Sequence, residues 1–282
     1  MPLKFALRLV AFLRLNWPHF VAEALGLGFF VGCAGPLAML VEHPASAVHR
    51  ALPDSEVLRR AVVGVGLGLV LVLIVYSPWG KRSGAHINPA VTLAFWQLGK
   101  IRSADAMWYV LAQVAGALGA AQLLKGLFGD LYAHPAVKYT VAQPAAPTLP
   151  SELVAFAAEF VMSLLMMLVA LAALHSARLK EWTGWLLGAL LAGYVVVEAP
   201  LSGMSLNPAR TLGTAVAAGS YRGLWVYGLA PPLAMWLATV AFLRFHHGQP
   251  LECAILAGCA PAPASPHAPE EEPPQFPAEH PE

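Results

Sequence analysis

The tripeptide Asn-Pro-Ala occurs twice in this chain, and each copy lies between apolar stretches long enough to cross a membrane. An Asn caps a helix N-terminus well, and a following Pro is tolerated at the first helical position. Amide N–H groups and positive helix N-termini can both hold the oxygen of an uncharged solute. The pattern therefore predicts two short helices whose capped ends face a solute pathway, at Asn88, Pro89 and Ala90 and at Asn207, Pro208 and Ala209.

These tripeptides belong to a longer internal duplication. Residues 20–23 (FVAE) are echoed by 156–159 (FAAE), and residues 86–93 by 205–212. Glu23 and Glu159 are therefore equivalent positions of two repeats, as are the two Asn-Pro-Ala tripeptides.

The composition excludes an ordinary soluble domain. Hydrophobic residues make up 58% of the chain and charged residues 12%, with a mean hydropathy of +0.61. A spanning helix needs about 20 mostly apolar residues. Six segments qualify, at roughly 18–41, 59–77, 104–128, 152–175, 182–201 and 223–245.

Two shorter apolar segments, 88–98 and 207–217, follow the Asn residues and cannot span. We interpret them as re-entrant half-helices, because broken backbone at membrane depth is tolerated only within protein or beside water. Three spans per repeat invert the second repeat, so the half-helices enter from opposite faces. The predicted fold is all-α and transmembrane, with six spans and two half-helices in an inverted 3+3 repeat.

The predicted organisation is an N-terminal segment (1–16), a channel domain (17–248) and a disordered Pro- and Glu-rich tail (249–282). The repeats occupy about 17–130 and 151–248, and the Pro- and Ala-rich stretch 133–150 joins them. Ten basic residues on the N-terminal side against seven opposite predict that both termini and the tail are cytoplasmic. The composition is compatible with a bacterial inner membrane.

The three cysteines are interpreted as free thiols, and no metal or cofactor is expected. The net charge of +1 gives no indication of nucleic acid binding. No combination of nucleophile, base and orienting group is evident, so we expect no enzymatic activity and no catalytic residue.

Three charged residues fall within apolar surroundings, where an unpaired charge is costly and usually functional. Arg210 directly follows the second tripeptide and is interpreted as a pore-lining hydrogen-bond donor, with snorkelling to the interface as the alternative. Glu23 and Glu159 need partners at membrane depth. A structural role as hydrogen-bond acceptors is favoured over a proton relay.

Over roughly residues 17–245 the sequence resembles the major intrinsic protein family, the aquaporins and glycerol facilitators. The resemblance rests on both Asn-Pro-Ala boxes, Ser83-Gly84-Ala85-His86 before the first box, Arg210 after the second, the two Glu residues and the run Tyr109–Gln113. It implies a homotetramer in membrane lipid, with one pore per subunit for water and small neutral solutes.

The resemblance also implies roles for further residues. Each Glu accepts hydrogen bonds from the loop before its half-helix, with Gln113 as a structural hydrogen-bonding partner. The loops then turn backbone carbonyls toward the pore, at Gly84, Ala85, His86 and Ile87 in the first repeat and at Gly203, Met204 and Ser205 in the second.

The family's selectivity filter has four positions, which ungapped counting from Asn88 and Asn207 assigns to Gly68, Val195, Met204 and Arg210. A one-residue shift in the second span would substitute Leu67 for Gly68. Water-selective members have an aromatic residue and a His at the first two positions, and glycerol facilitators an aromatic and an Asp after the Arg. This sequence matches neither, which predicts a wider, more apolar filter for glycerol, urea, ammonia or undissociated metalloid acids.

Three alternatives stay open. The channel could be a water-selective aquaporin. A coupled secondary transporter also uses inverted repeats and broken helices, but normally requires titratable groups at the midplane. A membrane scaffold with a closed pore is the third, with Met204 as the obstruction.

Overall fold

The computed structural model describes residues 2–246, 251 and 254–259. Six helices in these ranges are long and apolar enough to span a membrane, as the sequence predicted. Two shorter helices begin at the Pro residues of the Asn-Pro-Ala boxes, one at each box. In chain order the eight helices are α1 (Pro2–Glu42), α2 (Glu56–Tyr76), α3 (Pro89–Gln97), α4 (Ser103–Phe128), α5 (Leu149–His175), α6 (Thr183–Ser202), α7 (Pro208–Ala218) and α8 (Leu224–Phe245).

The connections contain only short helical turns. Three are α-helical, at Ala47–Ala51, Pro78–Ser83 and Asp130–Ala133, and two are 3₁₀, at Lys138–Thr140 and Lys180–Trp182. Helix α1 already begins at Pro2, so the N-terminal segment predicted over 1–16 is helical and continuous with the first span. We call the face where α1 begins and α8 ends the terminal face, and the opposite one the loop face.

The spans pack closely through small residues. A Cβ added at Gly116 of α4 would lie 2.0 Å from the carbonyl oxygen of Ala24 in α1. At Gly68 of α2 it would lie 2.4 Å from that of Gly188 in α6. Backbones can approach this closely only without a side chain. The first contact lies within a repeat, whereas the second joins the repeats.

Each half-helix packs on the opposite repeat. Helix α7, from the second repeat, lies against α4 of the first, and α3 lies against α8. This exchange brings the N-termini of α3 and α7 together in the interior and ties the repeats into one unit.

Part of the predicted disordered tail is packed. Leu251, Leu256 and Ala257 are buried, and the segment 254–259 forms a turn against the terminal face. Cys259 is disulfide-bonded, so the interpretation of all three cysteines as free thiols is wrong at this position, whereas Cys33 is free. Cys253 and residues 260–282 lie outside the described residues.

Candidate functional site

The two Asn residues cap the half-helices and also bind the opposite repeat. Each Oδ1 accepts the backbone N–H two residues on, at 2.9 Å for Asn88 and 3.1 Å for Asn207. The amide nitrogen of Asn88 donates to the carbonyl of Leu206 at 2.7 Å, and that of Asn207 donates to the carbonyl of Ile87 at 2.7 Å. These crossed hydrogen bonds join the repeats where α3 and α7 meet.

The crossed bonds change what the amides can offer a solute. A carboxamide has two N–H donors, and in each Asn one of them is committed to the other repeat. One N–H of Asn88 and one of Asn207 remain, on side chains that line the same small cavity. The sequence interpretation assumed that the amide donors of both Asn residues were free. The structure leaves one free N–H donor on each Asn.

The loops that precede the half-helices alternate in backbone conformation. Ala85 and Ile87 have φ of 56° and 41°, and Met204 and Leu206 have φ of 46° and 57°. Residues other than Gly rarely adopt this left-handed backbone conformation, which costs about 1 kcal/mol or more per residue. Such loops persist only where surrounding groups hold them.

Glu23 holds the first loop. Its side chain is fully buried, and its carboxylate accepts the N–H of His86 at 3.1 Å and that of Ile87 at 2.6 Å. It also accepts the hydroxyl of Ser83 at 2.6 Å and the amide of Gln113 at 2.7 Å. Four donors therefore surround the carboxylate, and two of them are backbone N–H groups of the loop itself.

Glu159 holds the second loop in the same way. It accepts the backbone N–H groups of Ser205 and Leu206 and the hydroxyl of Ser202, each at 2.7 Å. The duplication therefore extends from the sequence to the hydrogen bonds, except that among the described residues no counterpart of Gln113 donates to Glu159.

A second carboxyl group, that of Glu198, joins the hydrogen bonds around the second loop. The sequence reasoning missed this residue. Glu198 lies one turn after Val195 in α6, is 2% exposed, and forms a hydrogen bond with the Ser202 hydroxyl. Ser202 thus contacts two carboxyl groups with one hydroxyl hydrogen, while its oxygen accepts the N–H of Met204. A charge within an apolar span was the available signal.

Arg210 reaches the pore from the first turn of α7. Its side chain is 7% exposed, and its guanidinium donates to the carbonyl of Met204 at 2.6 Å and to that of Thr140 at 3.5 Å. The hydroxyl of Thr140 lies 3.2 Å from that of buried Tyr132, whose pKa is raised by burial, so Tyr132 stays neutral. A guanidinium has five N–H donors, so donors remain for a solute.

Two cavities meet at Arg210. A cavity of about 470 Å³, the loop-face cavity, opens toward the loop face, and one of about 80 Å³, the mid-pore cavity, lies along both Asn residues. Both are lined by Arg210, and the loop-face cavity is also lined by Val195 and Met204. Together the two cavities form a path from the loop face to the level of the Asn residues.

Of the two α2 residues considered for the filter, Leu67 lies on this path and Gly68 does not. Leu67 lines the loop-face cavity, whereas Gly68 faces the backbone of Gly188 in α6. Successive residues of an α-helix differ by about 100° around its axis, so a one-residue error turns the side chain away. The assignment of Gly68 is therefore corrected to Leu67, which makes the fourth candidate filter residue a larger aliphatic one.

Several carbonyls of the two pore loops are engaged by the protein. Those of Ile87 and Met204, both in the predicted set, and that of Leu206 accept hydrogen bonds from Asn207, Arg210 and Asn88, respectively. The carbonyl of Gly84 accepts the N–H of Leu256. Leu206 was absent from the predicted set. The remaining predicted members of the set are Ala85, His86, Gly203 and Ser205, and they line or adjoin the two cavities.

Within residues 2–246, 251 and 254–259, no three His, Cys, Asp or Glu side chains gather as a metal site would require.

Comparison with known proteins agrees with this arrangement. A family model described as "Major intrinsic protein" matches residues 11–242. The chain is similar to Aquaporin NIP1-1 of Arabidopsis thaliana, with 34% identity over 216 residues, which are 76% of this chain and 68% of that protein. It is also similar to Nodulin-26 of Glycine max, with 35% identity over 214 residues, 75% of this chain and 71% of the relative.

Among solved structures, the chain resembles the aquaglyceroporin from Plasmodium falciparum. The TM-score is 0.66 at 20% sequence identity, and the match covers 80% of this chain and 95% of that one. At this identity the likeness supports the fold alone.

Proposed function

We propose that this chain, which belongs to the major intrinsic protein family, passes small uncharged solutes larger than water. The family and the fold support a multi-pass membrane channel that conducts water and small solutes passively. The size and class of the solute are the proposal.

The supporting observation is the composition of the pore wall near Arg210, where the two cavities meet, and we take this region as the constriction. Leu67, Val195 and Met204 line the loop-face cavity together with Arg210, which also lines the mid-pore cavity. Three aliphatic side chains and one multiple donor offer little to a water molecule, which needs several hydrogen bonds. A larger uncharged solute can present an acceptor oxygen or nitrogen to Arg210 while its less polar surface contacts the aliphatic side chains.

Glycerol, urea, ammonia and undissociated metalloid acids are all uncharged, and each has at least one acceptor atom. Each presents lone pairs to the guanidinium of Arg210 without carrying a charge into the constriction. The flexible thioether side chain of Met204 can adapt to solutes of different shape.

We further propose that protons and cations are excluded in two places. In the loop-face cavity the cationic side chains of Arg60, Lys138, Arg210 and Arg222 face one carboxylate, Glu42, which is already paired with Arg59 at 3.0 Å. At the mid-pore cavity, the free N–H of each Asn and the positive ends of α3 and α7 hold the solute oxygen. A water in that position donates to neither Asn, so a continuous proton wire is interrupted.

The remaining features are proposed from the resemblance and the charge distribution. They are a homotetramer, no enzymatic activity, and a terminal face on the cytoplasmic side. A bacterial inner membrane rests on composition alone; the relatives named above are plant proteins.

The test is to narrow the constriction. Leu67→Phe adds an aromatic ring at the filter, and Leu69→Phe makes the same change on the same helix at a side chain that is 48% exposed. Purified variants are compared in proteoliposomes by stopped-flow light scattering, with the glycerol-to-water permeability ratio as readout.

We expect Leu67→Phe to lower this ratio by about tenfold or more, as a small change in size does at a fitted site, and Leu69→Phe to leave it unchanged. The ratio does not depend on how many channels are open. A wild-type protein that passes water but excludes glycerol and urea would instead identify a water-selective channel.

A further inference from the structure

The mid-pore cavity ends, toward the terminal face, at a side chain from outside the six spans. Leu256 lines this cavity together with His86 and Asn88, and it is only 4% exposed. It belongs to the segment 254–259, which follows α8 in the chain and lies across the mouth of the pore. The solute path described above therefore meets the chain's own C-terminal region.

Main-chain hydrogen bonds fix the segment to the first pore loop. The N–H of Leu256 donates to the carbonyl of Gly84 at 3.1 Å. The carbonyl of Ala254 lies 3.0 Å from Nε2 of His86, and because a carbonyl can only accept, Nε2 carries the hydrogen. Both bonds pair buried polar groups that would otherwise face the pore mouth.

A directed series of hydrogen bonds prepares His86 for this contact. The amide of Gln113 donates to Thr92 Oγ1 at 3.0 Å, and Thr92 Oγ1 lies 3.3 Å from His86 Nδ1. With its hydrogen on Nε2, a neutral His86 accepts from Thr92 at Nδ1 and donates to Ala254. The ring is further fixed by stacking on Phe95, with centroids 4.8 Å apart. The docking site is thus part of the rigid pore wall.

The segment also fits closely against the protein at two glycines. A Cβ added at Gly84 would lie 2.5 Å from the carbonyl oxygen of Ala254, and one at Gly258 would lie 2.9 Å from that of Lys180. Both glycines also have positive φ, 99° and 79°. The segment therefore contacts the first repeat at Gly84 and the α5–α6 connection of the second repeat at Lys180, and spans the mouth between them.

We propose that the terminal-face mouth of the pore is a binding site for a short apolar peptide turn, and that residues 254–259 occupy it in the same chain and close the pore with Leu256. The site suits such a ligand because it offers one main-chain acceptor, one imidazole donor and an apolar cavity. A charged residue at 256 would lose much of its hydration in this mostly apolar cavity. The inference rests on the family's channel activity and not on the choice of solute.

The test replaces the obstructing side chain in the full-length protein. Leu256→Asp is reconstituted without reductant, because Cys259 is disulfide-bonded, and osmotic shrinkage is followed by stopped-flow light scattering. Leu179→Asp makes the same charge change on the same face, at a side chain that is 46% exposed and away from the cavity. Leu256→Ala serves as a milder second variant.

We expect Leu256→Asp to raise water permeability by about tenfold or more over wild type, the change in docking equilibrium that loss of one buried Leu produces. Leu256→Ala should raise it in the same direction, and Leu179→Asp should match wild type. A synthetic peptide with the sequence of residues 251–259, present on both sides of the membrane, should slow the Leu256→Asp channel. The same peptide with Asp in place of the Leu at position 256 should not.

Two results would overturn the inference. One is wild-type permeability equal to that of monodisperse Leu256→Asp. The other is permeability at the level of empty liposomes for all variants with no peptide effect. Failure of the proposed solute preference looks different, because it changes the glycerol-to-water ratio and leaves the response to Leu256 substitutions intact.

Discussion

The two buried carboxyl groups on the second repeat should differ in how much stability they lose on the same isosteric substitution. Ser202 has one hydroxyl hydrogen but contacts both Glu159 and Glu198, and its oxygen already accepts the N–H of Met204. One carboxyl group must therefore carry a proton and donate it to Ser202. Glu159 accepts two backbone N–H groups, so Glu159 is the anion and Glu198 the acid.

The magnitudes follow from the hydrogen bonds. In Glu159→Gln the amide oxygen can keep Ser202 and Ser205, but the amide NH₂ then faces the N–H of Leu206, a donor against a donor. Losing a hydrogen bond to a charged group and leaving a buried donor unpaired costs roughly 1.5–3 kcal/mol. In Glu198→Gln the amide N–H replaces the carboxyl O–H toward Ser202, and we expect a cost below about 1 kcal/mol.

Both variants are purified in detergent, and thermal unfolding is followed by tryptophan fluorescence beside wild type. We expect a clear loss of thermal stability for Glu159→Gln and a small change for Glu198→Gln. Equal losses would refute the proton assignment, and a larger loss at Glu198 would reverse it.

Two further substitutions test the helix contacts and the pore junction. Gly116→Val should destabilise the fold by about 1–3 kcal/mol, because an added Cβ would lie 2.0 Å from the Ala24 carbonyl, whereas Gly119→Val has open space; thermal unfolding compares them. Asn207→Asp should admit protons, because a carboxylate replaces the donor to the Ile87 carbonyl with negative charge. A pH dye trapped in liposomes should report faster acidification than for wild type, and an unchanged rate would contradict the proposed barrier.

The local parts of the fold could be predicted from the sequence because they depend on short-range rules. Asn88 and Asn207 each cap the helix that begins at the following Pro, and each accepts the N–H two residues on. Apolar stretches of sufficient length define the six spans, and the duplication fixes their inverted arrangement. These elements follow from hydropathy, capping and repetition, and the structure confirms the predicted fold.

The features that sequence reasoning left open or missed depend on register or on distant contacts. Ungapped counting placed Gly68 in the filter, although the orientation of Leu67 is set by the packing of Gly68 on Gly188. The crossed bonds of the Asn amides join residues 118 and 120 positions apart.

Composition also concealed the ordered part of the tail. The abundance of Pro and Glu after residue 249 predicted disorder for the whole segment. The short run between 251 and 259 contains apolar residues and only one charged residue, Glu252. Its burial depends on a complementary surface at Gly84 and His86 that no local pattern encodes.

The most direct test of the central claim is the permeability of the reconstituted channel to water, glycerol and urea, measured on wild type and on Leu256→Asp. We predict that Leu256→Asp liposomes shrink quickly in an impermeant osmolyte and reswell quickly in glycerol or urea gradients. Fast shrinkage with no reswelling beyond that of empty liposomes would contradict the claim that solutes larger than water pass the constriction. That claim rests on Leu67, Val195, Met204 and Arg210.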